Sequence, residues 1–87
     1  MTEPRHLITN KMIGSLDDEE VLVFYMIVEQ EHSLFDISQI QNVEYEVIAR
    51  IVNNICRKLC VWRRRPEILR KAWRESIEYN LQKTNGP

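Results

Sequence analysis

Glycine and proline are scarce in this chain, with two glycines and three prolines in 87 residues. An all-β fold needs more turn-forming residues than that, so the composition favours helices. Long apolar runs are also missing. The longest, Val21 to Val28, is eight residues, far short of the roughly 20 that span a bilayer. The N-terminal residues MTEPRHLITNK contain no apolar stretch of the signal-peptide kind, which gives the expectation of an intracellular protein without a membrane partner. Histidine is limited to His6 and His32, far apart and without ligand spacing. The two cysteines, Cys56 and Cys60, are four residues apart and so share a helix face. With no further Cys to complete a ligand set, they read as two small buried residues rather than half a metal site. No glycine-rich phosphate loop and no nucleophile–base set stands out. The expectation is a non-enzymatic chain with no cofactor and no metal.

The residues that are present describe one small domain. Hydrophobic residues make up 44% and charged residues 29%, the balance of an ordinary globular protein. The net charge of -1 conceals a division. Residues 1–45 carry nine acidic and two basic side chains, a balance of -7, whereas residues 46–87 carry ten basic and four acidic ones, a balance of +6. Such a split has two explanations of similar weight: an anionic partner for the basic half, or two halves that face each other within a fold or between protomers.

Along the chain, residues 1–14 are an N-terminal segment in which Leu7, Ile8, Met12 and Ile13 suit a short helix stopping at Gly14. Ser15 is a candidate cap for a first main helix running to about Gln30. Asp17, Asp18, Glu19 and Glu20 place acid at its positive end. Its middle, VLVFYMIV, is apolar on every side; a β-strand is the competing assignment, and the acidic start favours a buried helix. Glu31, His32 and Ser33 form a connector. Leu34 to Gln41 reads as a short helix with Phe35, Ile37 and Ile40 turned inward. Asn42 stands at the following turn and tolerates a left-handed backbone. A third helix is expected from about Glu44 to Leu59, with Val47, Ile48, Ile51, Val52, Ile55, Cys56 and Leu59 as its buried face. Its other face carries Glu46, Arg50, Asn53, Asn54, Arg57 and Lys58. Cys60 to Trp62 suits an extended segment, Arg63, Arg64 and Arg65 form a basic cluster, and Pro66 opens a last helix to about Lys83. Leu69, Ala72, Trp73, Ile77 and Leu81 fall on one stripe of that helix, a surface suited to dimerisation or to packing back on its own domain. Residues 84–87 are expected to be a disordered tail.

The stretch Ile37 to Arg65, ISQIQNVEYEVIARIVNNICRKLCVWRRR, resembles the central part of winged-helix regulators of the MarR type. The apolar Ile37 and Val43, the segment ARIV, and Val61 with Arg63 to Arg65 carry the resemblance. It implies a mainly α winged-helix or helix-turn-helix domain over residues 15–65 with a reduced wing, followed by the C-terminal helix 66–83. It also implies a homodimeric transcription regulator binding double-stranded DNA. Arg50, Asn53, Asn54 and Arg57 would face the groove, Lys58, Arg63, Arg64 and Arg65 would hold phosphates, and Leu69, Trp73, Ile77 and Leu81 would join the protomers. Four features depart from the pattern. Gln41 replaces an apolar residue, Leu59 replaces a glycine, and Glu44 and Glu46 set carboxylates where phosphates would lie. Pro66 leaves almost no second wing strand. The same fold also serves as a protein-interaction module inside larger assemblies, and Glu44, Glu46 and the acidic first half fit that alternative.

Overall fold

The computed structural model describes residues 8–61 and 65–85, with residues 82–85 described by their backbone alone. Five helices follow one another: α1 (Asn10–Gly14), α2 (Asp18–Val28), α3 (Leu34–Gln41), α4 (Tyr45–Lys58) and α5 (Pro66–Asn85). Among the described residues there is no strand. The mainly helical expectation is met. Trp62, Arg63 and Arg64, which fall in the expected wing, lie outside the described residues.

Each boundary has a local cause. The Thr9 hydroxyl accepts the Met12 N–H at 3.2 Å and starts α1, which ends at Gly14. Ser15 closes α1 instead of opening α2, a correction to the sequence expectation. The cap of α2 is Asp17, in a reciprocal box: Asp17 Oδ1 accepts the Glu20 N–H at 2.8 Å, and Glu20 Oε1 accepts the Asp17 N–H at 2.9 Å. Ser33 and Asp36 repeat the arrangement at α3, at 3.1 and 3.2 Å. Asn42 ends α3 in the left-handed region at φ 54°, as expected, and the Val43 N–H reaches back to the Ser38 carbonyl at 3.0 Å. At the end of α4 the left-handed position falls on Cys60, φ 58°, with the Val61 N–H on the Cys56 carbonyl at 2.8 Å.

Helix α2 packs against α3, α4 and α5, and α4 also packs against α3. The VLVFYMIV run is thus a helix in the middle of the domain, with Val23, Phe24 and Ile27 fully buried. The inner face of α4 follows its apolar spacing: Ile48, Ile51, Val52, Ile55 and Cys56 are buried, Leu59 closes the face, and Val47 packs at its edge. Leu69 and Ala72 of α5 belong to the same core, so α5 is not an appendage to it. Trp73 meets Phe24 edge to face, with centroids 5.3 Å apart, and its indole N–H donates to Glu29 Oε1 at 3.0 Å. The chain entering at Ile8 is fastened across α5, where the Ile8 N–H donates to Ser76 Oγ at 2.8 Å and the buried Ser76 hydroxyl donates to the Ala72 carbonyl.

Three inward assignments are corrected. Phe35 is 61% exposed and Ile40 57% exposed, while Ile37 between them is fully buried. Residues two apart on a helix point about 200° apart, so Phe35 and Ile37 cannot share a face. Cys60 is exposed and Cys56 buried, because the chain leaves the helix before Cys60 and turns it outward. Helix α5 reaches Asn85, past the expected end at Lys83.

Candidate interaction surfaces

Helices α3 and α4 are joined by three residues, Asn42, Val43 and Glu44. The turn is set by the left-handed Asn42, and α4 starts at Glu44 without a side-chain cap. This connection carries α4 across the core with its polar stripe outward: Glu46, Arg50, Asn53 and Arg57 are exposed, and Asn54 is half-buried beside them. Arg65 is exposed at the entry to α5, and Arg63 and Arg64 lie outside the described residues.

Lys58 is placed differently from the rest of that group. Its Nζ lies 2.6 Å from Glu20 Oε1, the same oxygen that accepts the Asp17 N–H. The Glu20 side chain is 6% exposed and that of Lys58 32%. The ammonium therefore answers a buried carboxylate at the start of α2 and ties the end of α4 to it. Exposed Asp17, Asp18 and Glu19 accompany Glu20 there. Counted with its cap, the outer side of α4 sets Glu44 and Glu46 against Arg50 and Arg57, two charges of each sign.

Of the four residues expected at a protomer interface, Leu69 is fully buried in the chain's own core and Trp73 packs on Phe24. Ile77 and Leu81 remain exposed, one turn apart. The C-terminal helix thus completes the core with its first half and leaves an apolar pair on its second.

Sequence reasoning missed the apolar surface around α3. Phe35, Ile40, Val43 and Tyr45 are all large and exposed. Phe35 and Tyr45 border a cleft of about 490 Å³ between the start of α3, the start of α4 and the start of α5, together with Glu31, Asp36, Glu67 and Arg70. The signal for Phe35 was its two-residue offset from Ile37. For Tyr45 the signal was its position ahead of the apolar repeat that starts at Val47. Arg70 is turned away from solvent: its Nε donates to the Ile27 carbonyl at 2.8 Å and its Nη2 to the His32 carbonyl at 2.9 Å, which caps the C-terminal end of α2. Among the described residues no group of three or more His, Cys, Asp or Glu side chains is placed to hold a metal ion, and no helix is long and apolar enough to cross a membrane.

Comparison with protein-family models, with curated proteins and with solved structures gave no match to the chain. Its class therefore rests on its own geometry, a small, mainly helical domain in which three residues join α3 to α4.

Proposed function

We infer that this chain is a non-enzymatic protein-interaction module that presents α3 and the turn after it to a partner. The observation that carries this reading is the outward placement of Phe35, Ile40, Val43 and Tyr45 in a domain whose core is already closed without them. Exposed large apolar and aromatic side chains of this kind are the usual anchors of protein interfaces. The charge of α4 supports the same choice. Duplex DNA is held mainly by neutralising phosphates, and the outer side of α4 has equal numbers of acidic and basic groups, with Lys58 already engaged by Glu20. The test is retention of a partner from native lysate by the wild-type chain and by the Ile40→Asp/Val43→Asp variant. Loss of the partner by a variant with an unchanged melting curve is expected. Identical retention by both would defeat the reading.

A second reading, the homodimeric DNA-binding regulator with a winged-helix fold, is favoured by one feature. The stripe Arg50, Asn53 and Arg57 follows a three-residue turn and faces outward. Arg65 with Arg63 and Arg64 would add phosphate contacts, and Ile77 and Leu81 a protomer contact. Fluorescence anisotropy on random duplex DNA decides this. Micromolar binding at low salt that collapses as salt rises would establish the DNA reading; no binding by a folded chain would remove it.

A further inference from the structure

We propose that the cleft between the starts of α3, α4 and α5 receives an arginine side chain from a basic segment of the partner protein; this rests on the interaction-module reading and names its site. The cleft is lined by side chains of two kinds. Phe35 and Tyr45 offer aromatic surface that is 61% and 51% exposed, and neither ring contributes to the hydrophobic core. Glu31, Asp36 and Glu67 supply three carboxylates. Glu31 meets Arg74 only at 3.6 Å with both side chains largely exposed, and Asp36 keeps one oxygen on the Ser33 N–H. Among the described lining residues the cation is Arg70, which directs its donors to the Ile27 and His32 carbonyls. Among the described lining residues, three negative groups stand against one positive, with Arg74 approaching Glu31 from outside the lining.

An aromatic face beside exposed carboxylates suits a cation whose charge is spread over a plane. A guanidinium answers both kinds of lining: it stacks on a ring and forks two N–H groups onto a carboxylate. A neutral apolar side chain would meet the rings and leave the carboxylates unanswered. An anion would be repelled. The cleft is large enough for one such side chain and the backbone on either side of it. Its fold-stabilising content is small, because Phe35 is mostly in water already. The presence of a large aromatic at that position is thus explained by a ligand and not by packing.

The experiment is an NMR titration of the full chain with an acetylated, amidated Gly-Arg-Arg-Gly peptide and with its citrulline counterpart, which keeps the shape and removes the charge. Shifts at Phe35, Tyr45 and Glu67 with the arginine peptide, and none with the citrulline peptide, are expected. Phe35→Ala should weaken binding about fivefold, the size of one cation–ring contact, and Glu67→Gln should weaken it by a similar factor while both variants melt like wild type. No binding, shifts centred on Asp17 to Glu19, or equal affinity in Phe35→Ala would overturn the assignment. The partner-retention experiment separates the two claims. If Ile40→Asp/Val43→Asp loses the partner while the peptide fails to bind, the interaction reading stands and the arginine site falls. If the peptide seats in the cleft while retention is unaffected, the site stands and the reading of α3 falls.

Discussion

Replacing Lys58 by methionine removes an ammonium and keeps a stem of similar length. The Glu20 carboxylate it leaves behind is 6% exposed, with the Asp17 N–H on the same oxygen as its remaining hydrogen-bond donor. Breaking a fully buried ion pair by deleting one partner costs about 3–5 kcal/mol, whereas an exposed pair is worth about 0–1 kcal/mol. Here one partner is buried and the other is 32% exposed. The positive end of α2 and its capping box continue to stabilise Glu20, while exposed Asp17, Asp18 and Glu19 do the opposite. The expected loss is about 2 kcal/mol, between the two limits. In a domain of this size that lowers the melting temperature by roughly 10 °C. Glu20→Gln should cost about 1 kcal/mol, because the amide oxygen can still accept the Asp17 N–H and the lysine can swing into water. The double variant should then be less unstable than the sum of the two, with a coupling of about 1 kcal/mol or more. Urea and thermal unfolding followed by far-ultraviolet circular dichroism supply all four corners of the cycle. A Lys58→Met change within about 0.5 kcal/mol of wild type, or an additive cycle, would refute the argument and return Lys58 to the groups available to an anionic partner.

Two further changes test how the helices end. Cys60 holds a left-handed backbone, φ 58°, with an exposed side chain, so Cys60→Gly removes a penalty of about 1 kcal/mol or more against the larger chain entropy of glycine; a net gain of about 0.5 kcal/mol in a thermal melt is expected, and a loss would show that the thiol has a role the turn does not explain. Arg70→Leu deprives the Ile27 and His32 carbonyls of their donors and should cost about 1–2 kcal/mol, with faster amide exchange confined at first to the end of α2; unchanged stability and exchange would mean that water caps that end equally well.

The helices with strong local codes were legible in the sequence. The inner face of α4 follows from seven apolar residues at helical spacing, on a stretch whose other positions, Tyr45 and Ala49 apart, are polar. Asn42 identified its own turn, because few side chains accept a left-handed backbone. Errors arose where a local rule had two solutions. Ser15 and Asp17 are both good caps, each with a carboxylate three positions later. The box forms on Asp17 because Glu20 is also held by Lys58, 38 positions away, and no local pattern contains that contact. The same limit applies to α5. Its stripe continues through Ile77 and Leu81, yet burial stops at Ser76. An apolar repeat records which side of a helix is apolar, not how far a neighbouring helix extends to cover it. In the candidate surface, the polar stripe of α4 was readable from spacing. The cleft was not, since it gathers residues from the connector before α3, from α3, from α4 and from α5.

The division of charge along the chain takes on a different meaning once the contacts are known. Lys58 meets Glu20, Arg74 approaches Glu31, Trp73 donates to Glu29, and Arg70 caps the carbonyl end of α2. In each case a donor from the basic half is matched to an acceptor from the acidic half. Of the basic groups, Lys58 is thus paired with a buried acid at the start of α2, and Arg74 with an exposed one just past its end. Acids without a described ion-pair partner lie at the start of α2 (Asp17, Asp18, Glu19), at the start of α4 (Glu44, Glu46), in the cleft (Asp36, Glu67), and at Glu29, Glu75 and Glu78. Pairing leaves the net charge at -1, and exposed Arg50, Arg57, Arg65 and Lys71 stand among exposed acids such as Asp18, Glu44, Glu46 and Glu78. The sequence-level split thus argues first for how the chain folds, and only what survives that pairing bears on its partner.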